Sequence, residues 1–207
     1  MDYITVALPK GKLFQRSVEL LAKVGYSADN VTEDSRKLVI SNEDSKVRFI
    51  ITKTVDLPTY VEYGAADIGI IGKDVLLEER KDVYELLDLN LGICKISVAA
   101  LSGYKEDTER KLRVATKYVN TAKKYYSSLN RETDIIKLNG SIELAPILGL
   151  SDVIVDIVET GNTLKENNLK VINDIEEISA RFIANKTSYK FKNEEIKNIE
   201  KKLREVI

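Results

Sequence analysis

The sequence predicts an α/β fold with mainly parallel sheets and helices packed on their faces. Two observations carry that reading. Short β-rich apolar runs alternate with segments of helical periodicity from one end of the chain to the other. The chain is also large enough to bury a core of its own, with 207 residues, 43% hydrophobic and 31% charged.

The elements follow in order. Ile4-Thr5-Val6-Ala7-Leu8 is the first strand; it ends at Pro9, with Gly11 close behind. Phe14, Val18 and Leu21 share one face of a helix that Gly25 stops. Residues 37–40 and 47–52 are β-rich runs split by a polar segment, which reads as a hairpin. Asp56 is placed to cap a short helix with Pro58 in its first turn and Gly64 at its end. Residues 67–72 read as a buried strand whose glycines signal a close backbone approach. A helix from Lys73 and strands at 84–89 and 96–101 come next. The polar stretch 102–111 is the expected boundary. Beyond it, strands fall at 112–116, 134–138 and 152–158, with helices at 119–129, from Ser141 and after Gly161. Residues 181–186 are the last strand. The tail from Asn193 is a helix with Ile196, Ile199, Leu203 and Val206 in one stripe and a Glu200–Arg204 pair; it is expected to pack on its own lobe.

Composition excludes several kinds of chemistry. There is no histidine, so Ser-His-Asp and Cys-His nucleophile systems, HExxH zinc sites and imidazole acid–base catalysis are all out. The one cysteine, Cys94, allows no internal disulfide or CxxC pair and reads as packing. Lys+Arg 32 against Asp+Glu 33 gives a net charge of −1, which argues against nucleic acid or a membrane surface as partner. Met1-Asp2-Tyr3 leads straight into a strand with no signal peptide, and no apolar run approaches the roughly 18 residues that span a bilayer. The expected location is the cytoplasm.

The segment most informative about chemistry is Val153-Ile154-Val155-Asp156-Ile157-Val158-Glu159-Thr160-Gly161-Asn162-Thr163-Leu164. It is a buried strand that delivers an acid, then a tight polar turn, then a helix start. Amides at a helix N-terminus favour an anion, and Gly161 lets a phosphate approach the backbone. Thr160 and Thr163 offer hydroxyls; Asp156 and Glu159 are placed to accept from sugar hydroxyls. The same residues also make an ordinary strand-to-helix junction with a threonine cap.

Beyond this segment, a set of motifs resembles the ATP phosphoribosyltransferase family, the first enzyme of histidine biosynthesis. They are Ala7-Leu8-Pro9-Lys10-Gly11-Lys12-Leu13, Pro58-Thr59-Tyr60-Val61-Glu62-Tyr63-Gly64-Ala65-Ala66-Asp67-Ile68-Gly69, Gly72-Lys73-Asp74-Val75-Leu76, Lys137-Leu138-Asn139-Gly140-Ser141 and the stretch from Glu143 to Leu164. They stand in the family's order and cover nearly the whole chain. The resemblance implies a transfer of phosphoribosyl from phosphoribosyl pyrophosphate to N1 of the adenine of ATP. It implies two lobes like those of type II periplasmic binding proteins, residues 1–95 with 182–207 and residues 96–181, with the active site in the interlobe cleft. The donor site maps onto Asp156 and Glu159-Thr160-Gly161-Asn162-Thr163-Leu164. Mg²⁺, bound mainly through substrate phosphates, is implied as the cofactor, with no metal ligands assigned in the chain.

Both substrates are polyanions, so cations at strand ends matter. Lys10, Gly11, Lys12 and Lys73 are the expected ATP-binding residues, and Arg36, Lys53 and Lys10 the expected catalytic ones. For each lysine the alternative is a solvated surface charge; for Arg36, a surface ion pair. Lys53 stands where the family is expected to carry arginine, which keeps the charge and loses the planar fork. Tyr60, Tyr63, Tyr125 and Tyr126 are large enough to stack on adenine but are read as core or interface. The length matches the family's short form. That form works in a dimer or mixed oligomer with a separate regulatory subunit resembling a histidyl-tRNA synthetase catalytic domain. Two other readings stay open, a ligand-sensing module and a base-salvaging phosphoribosyltransferase. No GxxxxGK[ST] supports a P-loop.

Overall fold

A computed structural model describes residues 3–27, 31–33 and 36–207. Met1 and Asp2, and Asp34 and Ser35 beside Arg36, lie outside the described residues. The elements run β1 (Ile4–Pro9), α1 (Phe14–Lys23), β2 (Val39–Asn42), β3 (Val47–Thr52), α2 (Leu57–Glu62), β4 (Ile68–Gly72), α3 (Lys73–Glu79) and β5 (Tyr84–Asp88). They continue as β6 (Cys94–Leu101), β7 (Leu112–Thr116), α4 (Val119–Ser128), β8 (Thr133–Lys137), α5 (Leu144–Ile147), β9 (Val153–Val158), α6 (Asn162–Glu166), β10 (Leu169–Ile178), β11 (Ala180–Ala184), α7 (Lys186–Phe191) and α8 (Asn193–Arg204). The chain divides into one unit of Met1–Gly92 with Ser179–Ile207 and a second of Ile93–Ile178. The polar stretch 102–111 therefore lies inside the second unit, not at a boundary.

The first unit is built on a six-stranded sheet, β2-β3-β1-β4-β11-β5. β3, β1 and β4 are parallel, while β2, β11 and β5 are joined antiparallel. The sheet is thus parallel at its centre and antiparallel toward its edges, a smaller parallel share than the sequence reading expects. Both faces are covered, which is why β1 reads as one apolar run. Val6 and Leu8 join Phe14 and Leu21 of α1 and Ile196, Ile199 and Leu203 of α8 in one core. Ala7 turns the other way, to Leu57 and Val61 of α2 and Val75 of α3. Gly69 is needed on that second face, because a Cβ there would stand 2.9 Å from Leu57 Cδ2 and 3.2 Å from Val61 Cγ2.

Two side chains staple this unit. Asp67 accepts from the Thr5 amide at 2.8 Å, Ser188 Oγ at 2.6 Å and Lys192 Nζ at 2.8 Å. Asn185 accepts from the Ser188 amide, capping α7, while its Nδ2 donates to the Val61 and Glu62 carbonyls at the end of α2. α8 packs on its own unit, and the Glu200–Arg204 pair closes at 2.7 Å. Val206 falls outside the helix and is 39% exposed, so it leaves the expected stripe. Asp56 sits at the start of α2 without a side-chain cap; its backbone is already helical, not in the extended conformation that N-capping residues adopt.

The second unit holds a five-stranded sheet, β10-β6-β9-β7-β8. β9, β7 and β8 are parallel; β6 and β10 are antiparallel additions. Ile154 and Ala115 pack with Ile142, Ala145 of α5, Leu164 of α6 and Leu169 on one face. The helix expected from Ser141 is one turn only, Leu144–Ile147, with Pro146 inside it. At the start of β7 and β9, Asp152 accepts from Arg113 Nη2 and Arg110 Nη2, both at 2.8 Å, and from the Arg113 amide at 2.9 Å. No described helix is long and apolar enough to cross a membrane.

Candidate active site

In the second unit, the carboxyl end of β9 runs into the segment singled out from the sequence. Val153, Ile154 and Val155 are buried, and Asp156 is half-buried with its Oδ1 accepting from the Ile157 amide at 2.8 Å. Glu159, Thr160, Asn162 and Thr163 are exposed. Gly161 adopts φ +74° and caps α6 with no side chain of its own, while the Asn162 amide donates to Thr160 Oγ1 in a long bond of 3.4 Å. That left-handed backbone is open to glycine without cost and turns the chain between strand and helix. Leu164 is 7% exposed and sits in the core, so its side chain anchors the bend rather than lining it. α6 is five residues long, too short for much of the macrodipole invoked from the sequence. What remains is local: the helix-start amides, the first of them only weakly bonded to Thr160, the Thr160 and Thr163 hydroxyls, and two carboxylates.

In the first unit, β1, β3 and β4 are parallel, so their carboxyl ends share one edge. Lys10, Gly11 and Lys12 follow β1, Lys53 follows β3 and Lys73 follows β4. Arg36 precedes β2, whose start is tied to the end of β3 by the Ile51 amide donating to Leu38 at 3.0 Å. Register therefore gathers Arg36 with the lysines. Lys10, Lys12, Arg36 and Lys53 are exposed. The Gly11 amide donates to Glu33 Oε1 at 2.7 Å, so this turn already binds a carboxylate anion.

Lys73 departs from expectation. Its Nζ is 2.5 Å from Glu85 Oε2, and Glu85 also lies 3.3 Å from Arg181 Nε. Arg181 in turn pairs with Asp88, which accepts from Ser179 Oγ at 2.6 Å. Burial works against the Asp88 carboxylate, but Ser179, the Asn90 amide and Arg181 hold it below the usual carboxylate range. Lys73 is thus spent in an ion network at the sheet edge, which weakens its assignment to ATP.

The tyrosines divide. Tyr126 is buried and burial pushes its phenol well up; Tyr125 packs edge-on to it at 5.0 Å and accepts from Asn173 Nδ2. Tyr63 is 80% exposed and Tyr60 44%. Cys94 is half-buried at the start of β6. The second unit has a groove of about 590 Å³ beside α4 and β10. It opens near Leu112 and Val153, the sheet end opposite the bend. One cation the sequence reading passed over, Lys117, stands exposed directly after β7, at the bend's end of the sheet. The signal for it is the short alternation Thr116-Lys117-Tyr118, a charge between two residues that turn inward.

The structure thus defines a two-unit α/β protein with polyanion-suited loops at the carboxyl ends of its parallel strands, where such sheets take ligands. A model of the family described as HisG: ATP phosphoribosyltransferase matches residues 53–205. An ATP phosphoribosyltransferase of Brachyspira hyodysenteriae is 61% identical over 205 residues, 99% of this chain and 100% of that one. One from Clostridioides difficile is 54% identical over 202 residues, 96% of each. Among solved structures, the ATP phosphoribosyl transferase (HisG:HisZ) complex from Thermotoga maritima superposes with a TM-score of 0.85, 37% identity and 98% coverage of both chains. The probable amino-acid ABC transporter binding protein ytmK of Bacillus subtilis shares the fold alone, at TM-score 0.58 and 15% identity over 100% of this chain and 92% of that one.

The chain belongs to the ATP phosphoribosyltransferase family. Its reaction is a pentosyl transfer in histidine biosynthesis: the N1 lone pair of ATP's adenine forms a bond to C1 of phosphoribosyl pyrophosphate, and the C1–O bond breaks with its electron pair leaving on pyrophosphate.

Proposed function

We propose that the bend from Glu159 to Leu164 holds the donor's 5′-phosphate and that Asp156 and Glu159 accept from its ribose hydroxyls. The observation that carries this is Gly161 in the left-handed region at the start of α6, where the first amide makes only a long 3.4 Å bond to Thr160 Oγ1 and Thr160 and Thr163 are exposed on either side. Lys10, Gly11 and Lys12 bind ATP phosphates; the Gly11 amide, bonded to Glu33, is already in anion-binding geometry. Arg36, Lys53 and Lys10 neutralise charge that grows on the departing pyrophosphate. A neutral adenine nitrogen has its lone pair available, so the bond-forming step needs no strong base, in keeping with a chain that lacks histidine.

Lysine at position 53 is a point charge that still meets this need. Lys53→Ala is expected to lower kcat/KM by tenfold or more; an effect within about twofold removes Lys53 from the site. Among the described residues no three His, Cys, Asp or Glu side chains cluster to hold a metal ion. Asp156 and Glu159 are two oxygen donors near the bend, which suits a Mg²⁺ that keeps its waters and arrives on substrate phosphates. Bound there, Mg²⁺ supplies charge neutralisation on the leaving group.

We further propose a cytoplasmic enzyme that assembles with a regulatory subunit, as the HisG:HisZ complex of Thermotoga maritima does. The purified chain is expected to convert ATP and phosphoribosyl pyrophosphate with Mg²⁺, and histidine is expected to inhibit it only weakly until the partner is added. Strong inhibition of the chain alone contradicts the partner proposal. Turnover with a free base in place of ATP, or binding without turnover even with the partner present, contradicts the substrate assignment.

A further inference from the structure

The bend has a charge problem. From Asp156 to Leu164 the segment carries two acids and no base, yet the donor it takes under the reading above is a polyanion. We propose that Lys117 supplies the missing cation, its ammonium contacting the phosphates of phosphoribosyl pyrophosphate held at the bend. The inference rests on the bend being the donor site.

Register places it. β7 lies beside β9 and parallel to it, with Thr116 opposite Val155, so Lys117 follows on next to Asp156. The backbone at this point is pinned on both sides. Thr116 is buried; its Oγ1 donates to the Val155 carbonyl at 2.6 Å and accepts from the Tyr118 amide at 2.8 Å. Tyr118 is 3% exposed. Between two buried neighbours, Lys117 is exposed in the bend that directly follows β7, next in register to the β9 face that carries Asp156. Ile154 shares that face with Asp156, and there it packs with Leu164 of α6.

Its charge is also available. Lys117 Nζ lies 4.7 Å from the Tyr118 ring, a cation–π contact that leaves the charge un-neutralised and that a phosphate can replace. Among the described residues no carboxylate pairs with it. Lys95, on the strand at the other side of β9, is 2.5 Å from Asp174, and Lys73 is held by Glu85. A flexible stem bearing a compact cation, fixed at its base and held at its tip only by an aromatic ring, suits phosphate contact.

Four single variants test the assignment: Lys117→Gln, Lys117→Arg, Thr163→Val and, as a control on α6, Lys165→Gln. Calorimetric Kd for phosphoribosyl pyrophosphate, KM for each substrate and Tm are measured for all. The expected result is that Lys117→Gln weakens donor binding at least tenfold, leaves the KM for ATP within twofold and keeps Tm, while Lys117→Arg recovers most of the loss. Donor affinity within twofold of wild type in Lys117→Gln overturns the proposal. So does a rise in both KM values together with a lowered Tm, or an equal loss in Lys165→Gln. If Thr163→Val weakens the donor and Lys117→Gln does not, the bend reading stands and this one falls. If Thr163→Val has no effect, the bend reading fails whatever Lys117 does.

Discussion

Gly161→Val is expected to lower kcat/KM for phosphoribosyl pyrophosphate by about 100-fold, the scale of losing preorganised donors at a charged centre. Two effects combine. Valine in the left-handed region costs roughly 1–2 kcal/mol or more of backbone strain, and its side chain stands where the phosphate approaches. Gly161→Asn separates them, because asparagine tolerates φ +74°. Its Tm is expected to stay near wild type while donor binding still falls, since a Cβ at Gly161 meets only Val158 Cγ1 at an ordinary 3.8 Å and the rest of the side chain takes space the phosphate needs. A Gly161→Asn enzyme with native donor KM contradicts the phosphate-bend assignment, since only the strain would then have mattered.

Asp152→Asn is expected to destabilise the fold by about 2–3 kcal/mol, the range for hydrogen bonds to a charged group. For a chain of this size that lowers Tm by roughly 4–12 °C. Burial alone would raise this carboxyl, but hydrogen bonds from Arg113 and Arg110 outweigh it and hold it well below the usual range. Its folded-state pKa is thus depressed below the unfolded value of about 3.9. The stabilisation it gives is complete above that value and is lost as pH falls from about 4 toward the folded-state pKa. Wild type should therefore lose stability more steeply than Asp152→Asn below pH ~4, and the two melting curves should converge in acid. Parallel losses, or an unchanged Tm at neutral pH, contradict the assigned role. Catalysis well below Tm should be unaffected, because Asp152 directly precedes β9 and the bend follows the strand's other end.

Most elements were legible because both faces of the sheets are buried. β1, β4 and β9 are largely apolar runs, β7 is β-rich around Val114 and Ala115, and glycines close α1 and α2. β10 was missed for the opposite reason. It is an edge strand, exposed along nearly all its ten residues, and irregularities between Val171 and Asn173 and between Asp174 and Glu176 break any period of two. α7 is six residues with none buried, so it leaves no apolar stripe; its start is set by Asn185, read from sequence as part of a strand that in fact ends at Ala184. The 102–111 stretch looks like a linker, yet Arg131 ties it down through Glu106 and the Asp107 and Arg110 carbonyls.

The backbone course of the proposed bend, strand to glycine turn to helix, was legible because its residues are contiguous. The first unit's edge was legible only as separate lysines. Nothing near Lys73 in sequence announces that Glu85 of β5 and Arg181 of β11 close around it. Lys117 needed the register of β7 on β9 before its place next to Asp156 could be seen.

A crystal structure of the chain with phosphoribosyl pyrophosphate and Mg²⁺ measures directly where the donor's 5′-phosphate binds. The predicted result is a phosphoryl group within hydrogen-bond distance of the amides of Gly161 to Leu164 and of the Thr160 and Thr163 hydroxyls. A catalytically active crystal with the donor bound elsewhere and those amides facing only solvent would contradict it.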